Sequence, residues 1–487
     1  MPTLTINGKA ITVPSGTSVF NACKLAGIYI PNYCYHPGLS VAGNCRVCQV
    51  EIKGQPKPAI SCNTPCTENM EVFTTSDKAL KARKGVMEFL LANHPLDCPT
   101  CDQAGECDLQ NFAAKENQLV SRFDEEKLLK PRENFGPHVQ YVPNRCILCS
   151  RCVRFCDEIS GIPSLGIVER GSHAEIALAP GAVLDDEMSA NVADVCPVGA
   201  LLTRDSLHDG RAWFLKRTPS TCPSCSRGCS VFVDSFRGRV TRMRARHNPR
   251  VNDYWICDTG RFHFRFLHDP QRLKTPLHRG KAIAWDAALC LLKEALGNGA
   301  CVAGSAWSTS EENLLLSRLG RPSGFLTAPD GPGRAFRKFT IDADKNPNRR
   351  AAGQILGTGP GVRFEPEAPA LLLHTVPEHV PAEAEISGWE RAGFRAVLGI
   401  LPTRFSETAD LVLPVASFAE TDGTFVNSQG HVQWIRPAIA CEEEIREAWR
   451  VLAALGGVPA RDIRQVHALL PETLREPAPP VAAAAGA

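Results

Sequence analysis

Polar and apolar residues alternate along residues 3–13, and Asn7-Gly8 interrupts the alternation. That pair favours the turn of a two-residue hairpin, so two antiparallel strands are predicted. Residues 15–25 carry a helical pattern, with Ser15 or Thr17 as candidate N-caps and Gly27 just beyond the end. Residues 49–53 predict another strand. This order of strand, strand, helix and strand fits a small β-grasp domain. Residues 77–93 predict a longer helix with Leu80, Lys84, Met87, Leu90 and Leu91 along one side. It stops at His94-Pro95, because the residue before a proline is pushed out of helical backbone.

Residues 116–143 are charged and contain proline, and are expected to be a connector. Residues 144–205 form a cysteine-bounded unit, and Thr218-Pro219-Ser220 opens another. From about Arg272 the cysteines thin out. Residues 284–296 and 383–392 look helical, while 300–304 and 370–373 look like buried strands. That alternation predicts an α/β domain. The stretch 476–487 is rich in proline and alanine and predicts a disordered tail.

Composition narrows the chemistry. The 487 residues suffice for roughly three domains of ~150 residues, and 44% hydrophobic content supports packed cores. Lys+Arg number 54 and Asp+Glu 52, so the net charge of +2 gives no argument for nucleic acid or an anionic membrane surface. No run of ~18 apolar residues predicts a membrane span. The opening Met1-Pro2-Thr3-Leu4-Thr5-Ile6 reads as a strand, so no secretory signal is expected. The 21 cysteines then point to metal or redox work rather than a disulfide scaffold.

Most of these cysteines fall into four sets. The first is Cys34-x10-Cys45-x2-Cys48-x13-Cys62, a close pair with two outliers, similar to a plant-type [2Fe–2S] layout with a stretched first spacer. Soft, anionic thiolates suit iron, and Gly38 and Gly43 let the loop fold closely around sulfide. The second is His94-x3-Cys98-x2-Cys101-x5-Cys107, three thiolates and an imidazole for a [4Fe–4S] cubane. An imidazole in place of a thiolate adds one unit of charge, which alone raises the reduction potential. Cys3His is also a structural zinc set, so zinc stays open for this group taken alone. The third is Cys146-x2-Cys149-x2-Cys152-x3-Cys156, with Cys196-Pro197 further on. It is half of a two-cluster ferredoxin pattern. The same spacing counted back from Cys196 reaches Val192, Ser189 and Asp186, none of them a thiolate. One [4Fe–4S] is therefore expected on Cys146, Cys149, Cys152 and Cys196, with Cys156 as a non-ligand. The fourth is Cys222-x2-Cys225-x3-Cys229-x27-Cys257, which fits a further [4Fe–4S] or a structural zinc.

Cys23, Cys66, Cys156, Cys290, Cys301 and Cys441 remain, and buried packing is the ordinary role for such dispersed thiols. No Ser/His/Asp or Cys/His nucleophile grouping is visible. Gly357-Thr358-Gly359-Pro360-Gly361 fits neither a P-loop nor a dinucleotide fingerprint and is read as a turn. The arginines between Arg237 and Arg250 alternate, which suits one solvated or cluster-facing side of a strand. The residues describe a conductor of electrons that needs partners at both ends, with no catalytic residue of its own.

Longer motifs carry a resemblance. His94-Pro-Leu-Asp-Cys98-Pro-Thr-Cys101-Asp-Gln-Ala-Gly-Glu-Cys107 and Arg145-Cys-Ile-Leu-Cys-Ser-Arg-Cys-Val-Arg-Phe-Cys156 resemble the large iron–sulfur subunit of bacterial respiratory NADH:quinone oxidoreductase (complex I). Asn191-Val-Ala-Asp-Val-Cys196-Pro-Val-Gly-Ala and His247-Asn-Pro-Arg-Val-Asn-Asp-Tyr-Trp-Ile-Cys257 fit too, as do Glu407-Thr-Ala-Asp-Leu-Val-Leu-Pro414 and Glu420-Thr-Asp-Gly-Thr-Phe-Val-Asn427. The resemblance implies one [2Fe–2S] and two [4Fe–4S] clusters on the first three sets. The Cys222 set matches a site that only some members keep, off the main path. It further implies electrons arriving from an FMN- and NADH-binding flavoprotein subunit and leaving toward other peripheral-arm subunits. The assembly would pass them to quinone, coupled to proton translocation. The chain would sit at the cytoplasmic face of the inner membrane and touch the membrane only through the complex.

The expected fold class is multidomain α+β and α/β. A β-grasp [2Fe–2S] domain spans 1–77, a His/Cys cluster domain 78–117 and a ferredoxin-like domain 140–210. A molybdopterin-oxidoreductase-type [4Fe–4S] domain spans 216–271, a truncated α/β domain 272–462 and a tail 463–487. Here the chain departs from a full molybdopterin oxidoreductase, since the C-terminal part is short and Cys290 and Cys301 lie in a helix and a buried strand. A cofactor-free remnant without molybdopterin is expected. The rival readings are the catalytic subunit of an NAD-linked formate dehydrogenase, the diaphorase iron–sulfur subunit of a hydrogenase, and a structural zinc protein.

Overall fold

The computed structural model describes all residues except 117–119, 170, 298, 377–378, 443 and 476–487. It divides into two compact units, one of residues 1–215 with 336–339, the other of 216–335 with 340–487.

The first unit begins with the hairpin Thr3–Ile6 and Lys9–Thr12, turned by Asn7 (φ 50°) and Gly8 (φ 80°). Positive φ at both positions lets the turn follow the twist of the strands. Thr3–Ile6 also pairs in parallel with Glu71–Phe73, which pairs with Gln49–Ile52, giving a five-stranded β-grasp sheet. Helix Val19–Leu25 buries Val19, Phe20, Ala22 and Cys23 against it. Its N-cap is Ser18, which accepts from the Asn21 N–H at 3.3 Å, rather than the expected Ser15 or Thr17. Ser18 and Pro65 form a β-bridge, so tertiary pairing delays the start of the helix.

Helix Asp77–Asn93 has the expected bounds, with Ser76 as N-cap and His94 leaving helical geometry at ψ 130°. The buried face differs from the expected stripe. Ala79, Arg83 and Met87 point inward, while Lys84 is exposed. Arg83 survives burial because its Nε donates to the Gln49 carbonyl at 3.0 Å and Glu116 lies 3.8 Å from the guanidinium. The connector returns along this helix, where the Lys127 Nζ caps the Leu91 and Ala92 carbonyls at 2.9 and 2.7 Å. It then enters the sheet of Glu133–Asn134, Val139–Tyr141 and Leu201–Thr203, which frames the third cysteine set.

The second unit opens with the antiparallel strands Lys216–Thr221, Ser230–Phe236 and Arg239–Ala245. Asp234 is fully buried there and paired with Arg217 at 2.9 Å and Arg242 at 2.8 Å, which hold its carboxyl below the usual range despite burial. Part of the basic alternation thus serves this one carboxylate. Strands Arg321–Leu326, Cys301–Ser305, Pro369–His374, Phe394–Gly399 and Leu411–Pro414 run parallel in the centre of an eight-stranded sheet. Apolar cores cover both faces, one around Trp285 and Trp449 and one around Phe364, Trp389 and Phe405. Burial on both faces is what a parallel sheet requires. Cys301 is buried in a central strand, and Cys290 is exposed on helix Trp285–Leu296. Gly357 ends helix Arg349–Leu356 in left-handed geometry, opening the glycine-rich turn.

The expected tail from residue 463 starts with structure. Ile463–His467 is helical, and Leu470 and Leu474 are buried against this unit's core; residues 476–487 lie outside the described residues. The His467 ring meets Glu311 at 2.7 Å, and Glu311 also accepts from the Thr424 N–H and hydroxyl, both at 2.9 Å.

Next to Glu311, Glu312 caps its own helix by accepting the Thr309 N–H at 2.9 Å. Burial, helped by Glu311 and Glu447, pushes its carboxyl up to about 7. The folded chain then holds this proton more tightly than the unfolded chain. Its stabilising contribution is full below about pH 4.5 and is lost as pH rises to about 7. Glu312→Gln keeps an acceptor for Thr309. In chemical unfolding between pH 5 and 8 it should show a shallower fall of stability with pH than the parent chain.

Candidate metal centres

The first set lies on an irregular loop between helix Val19–Leu25 and strand Gln49–Ile52, with Cys62 in the turn Ser61–Asn63. Gly43 (φ 62°) and Arg46 (φ 59°) bend the loop on either side of Cys45. Hydrogen bonds link the four thiols in a chain. Cys34 shares S–H···S hydrogen bonds with Cys45 and Cys62, and Cys48 shares one with Cys62. The bonds from Cys45 and Cys62 hold the Cys34 thiol far below its ordinary range, and the bond to Cys34 pushes Cys62 far above it.

In the second set, His94 ends helix Asp77–Asn93, and the loop carrying Cys98, Cys101 and Cys107 leads into helix Asp108–Lys115. Cys101 and Cys107 are buried, and Cys98 is exposed. Burial raises Cys107 to about 11 and lowers His94 to about 4, favouring the neutral imidazole a metal ligand must present. His94 and Cys101 feel the same two charges, Asp97 and Arg145.

In the third set, Cys146, Cys149, Cys152 and Cys196 line one cavity beside Tyr141 and Ile176. Cys156 is buried in the adjoining turn Cys156–Ser160 and is not part of that lining. Leu148 (φ 52°) and Ser150 (φ 59°) flank Cys149 in left-handed backbone, which turns the Leu148 N–H onto the Cys146 Sγ at 3.4 Å. Arg151 also lines the cavity, and its Nε is buried without an acceptor. Four thiols and a spare buried donor around one space fit a cluster whose sulfides accept hydrogen bonds.

The fourth set belongs to the second unit. Cys222, Cys225, Cys229 and Cys257 are all buried, and burial raises every one of the thiols, Cys257 to about 12. The Cys222 and Cys257 sulfurs lie 2.9 and 3.5 Å from the point a Gly260 Cβ would occupy, and the Gly260 N–H donates to the Cys257 Sγ at 3.3 Å. A side chain at Gly260 would fill the space between two of the thiols.

Among the described residues no three His, Cys, Asp or Glu side chains converge on a point suited to one metal ion.

Several polar residues that the spacing patterns did not single out join the loops of the first unit. Arg145 donates through Nε and Nη2 to Asp97 at 3.0 and 2.6 Å, and through Nη1 to the Gly199 carbonyl at 3.4 Å. Arg151 donates to the Tyr35 carbonyl at 2.7 Å and the Val195 carbonyl at 3.2 Å. Arg154 donates to the carbonyls of Cys34 at 2.5 Å and Cys149 at 3.4 Å, and to that of Ser40. The Asp108 N–H donates to the Pro197 carbonyl at 2.9 Å. The loop of the third set therefore touches the loops of the first and second. The available signal was the interleaving of arginines with cysteines in residues 145–156.

Comparison with known proteins gives the same order of modules. Residues 1–77 match a 2Fe-2S iron-sulfur cluster binding domain, and 83–119 match the NADH-ubiquinone oxidoreductase-G iron-sulfur binding region. Residues 136–202 match the ferredoxin-like domain of NADH-quinone oxidoreductase subunit 3. Residues 215–269 match the molybdopterin oxidoreductase Fe4S4 domain, and 380–458 match molybdopterin oxidoreductase. The G subunit of NADH-quinone oxidoreductase from Streptomyces coelicolor is 43% identical over 302 residues, 60% of this chain and 36% of that protein. The chain is a relative of these iron–sulfur subunits.

The corresponding Rickettsia bellii protein is 43% identical over 290 residues, 59% of this chain and 42% of its own. The mitochondrial NADH dehydrogenase [ubiquinone] iron-sulfur protein 1 of Solanum tuberosum is 43% identical over 296 residues, 60% of this chain and 40% of its own. The chain thus spans less than half the length of these relatives. A chain of the crystal structure of NAD+-reducing [NiFe]-hydrogenase in the H2-reduced state is 32% identical with a TM-score of 0.40, covering 43% of this chain and 90% of that one. The fold is multidomain, α+β and α/β, with domains of [2Fe–2S] and [4Fe–4S] type followed by a molybdopterin-oxidoreductase-like part. No helix among the described residues is long and apolar enough to cross a membrane.

Gly199 tests the packing of the second and third sets. A Cβ there would lie 2.4 Å from the Cys101 Sγ and 3.1 Å from the Gln103 Cβ. Gly199→Ala is expected to displace Cys101 and cost about 1–3 kcal/mol, seen as a lower unfolding midpoint. Gly166→Ala, with nothing within 4 Å of the new methyl, should leave the midpoint nearly unchanged.

Proposed function

We propose that this chain is an electron-transfer subunit of an NADH:quinone oxidoreductase of the complex I type, one that conducts electrons and has no substrate site of its own. Cys34, Cys45, Cys48 and Cys62 hold a [2Fe–2S] cluster. His94, Cys98, Cys101 and Cys107 hold one [4Fe–4S], Cys146, Cys149, Cys152 and Cys196 a second, and Cys222, Cys225, Cys229 and Cys257 a third. When bound, such clusters take up and release single electrons. The observation that carries the reading is the packing of three thiol-bearing loops on one another in the first unit, joined by Arg145, Arg151 and Arg154.

The chain's own residues supply burial, backbone N–H groups aimed at sulfur, and fixed spacing between the loops. Its partners are an FMN- and NADH-binding flavoprotein subunit and other subunits of a peripheral arm at the cytoplasmic face of the membrane. The assembly delivers the electrons to quinone and couples this to proton translocation. The α/β domain acts as a scaffold without molybdopterin. Its buried Cys301 and helix-borne, exposed Cys290 support that role.

Metal analysis with EPR of the dithionite-reduced chain tests this. Roughly 14 irons per chain, without molybdenum or tungsten, are expected from one binuclear and three tetranuclear sites. About 10 would leave the Cys222 set empty or on zinc, and stoichiometric molybdenum or tungsten would refute the scaffold role. Cys149→Ser should lower iron by about four, and Cys156→Ser should leave it unchanged.

A further inference from the structure

Arg145, Arg151 and Arg154 come from the same short segment as Cys146, Cys149 and Cys152, yet each reaches a carbonyl or carboxylate beside another ligand. Arg145 reaches Asp97, next to Cys98. Arg151 reaches Tyr35, next to Cys34, and Val195, next to Cys196. Arg154 reaches Cys34 itself and Cys149. The side chains of Arg145 and Arg151 are 3% and 8% exposed, so their charge is little screened by water. The Cys101 Sγ and the Arg145 Cδ both lie within 3.5 Å of the point where a Gly199 Cβ would sit.

We propose that Arg145, Arg151 and Arg154 are the positioning residues of the cluster array. Their forked side chains fix the first and second cysteine loops on the third, and their charges favour the reduced state of the clusters they adjoin. This rests on the cluster assignment above. A buried cation close to a redox centre stabilises the added electron. Its loss shifts the reduction equilibrium toward the oxidised form. A lysine keeps the charge and loses the fork, so charge and position can be separated.

The test uses the full chain purified with its clusters, with each arginine changed in turn to Gln and to Lys. Iron content, redox titration followed by EPR, and the spin–spin splitting between reduced clusters are measured. The Lys variants should retain parental iron. The Gln variants should shift the reduction equilibrium of the adjoining cluster at least threefold toward oxidised, about 28 mV at 59 mV per tenfold. The Lys variants should restore the potential but not the parental splitting, because one ammonium cannot span two loops. Parental potentials and splitting in the Gln variants would overturn the proposal. Loss of iron from the Lys and Gln variants alike would also overturn it, by reducing the arginines to parts of the fold. A parental chain without iron would instead refute the cluster assignment itself.

Discussion

Thiol-bearing loops must be irregular, buried and rigid together, and regular secondary structure cannot satisfy all three demands. A loop that wraps several thiols round one space leaves its carbonyls outside any helix or sheet ladder, and a buried carbonyl without a donor is costly. In the first unit guanidinium groups meet that demand. The carbonyls of Cys34, Tyr35, Cys149, Val195 and Gly199 all accept from Arg145, Arg151 or Arg154. The same bonds that satisfy each loop tie it to its neighbour, so the β-grasp, His/Cys and ferredoxin-like modules pack as one unit.

The second unit solves a different problem. Its large sheet has a parallel centre whose backbone is satisfied by the ladder itself, and side chains need only cover two faces. Several polar residues that go inward there are paired. Asp234 holds two arginines, Arg272 meets Glu420, and Glu311 receives Thr424 and His467. The fourth cysteine set sits at the start of this unit, where the glycine at position 260 leaves room between two thiols.

Much of this was legible locally. The hairpin at Asn7-Gly8, the bounds of helix Asp77–Asn93 and the strands around Cys301 and Leu371 follow from turn chemistry, the proline restriction and hydrophobic runs. The cysteine spacings brought together the four thiols of the first set and the four that line the third cavity. Tertiary context decided the rest. Ser18 became the cap because a β-bridge to Pro65 holds the chain extended there. Arg83 took an apolar position because Gln49 and Glu116 lie opposite. Residues beyond 463 look like a tail locally, yet Leu470 and Leu474 find a core formed by distant residues.

Side chains that join modules are the hardest to read from sequence. Arg154 and Cys34 are 120 positions apart, and Arg151 and Tyr35 are 116. No local period relates them. Arginine at these positions is also more than a positive charge. Arg145 engages Asp97 with two nitrogens and Gly199 with the third, while Arg151 divides its two terminal nitrogens between the carbonyls of Tyr35 and Val195. Only a planar fork makes such contacts at fixed angles, whereas an ammonium on a flexible stem acts as a point charge. Gly199 shows the converse constraint, because the second and third loops approach so closely that even a methyl group has no room. The spacing between these loops is therefore set as much by one absent side chain as by the three guanidinium groups beside it.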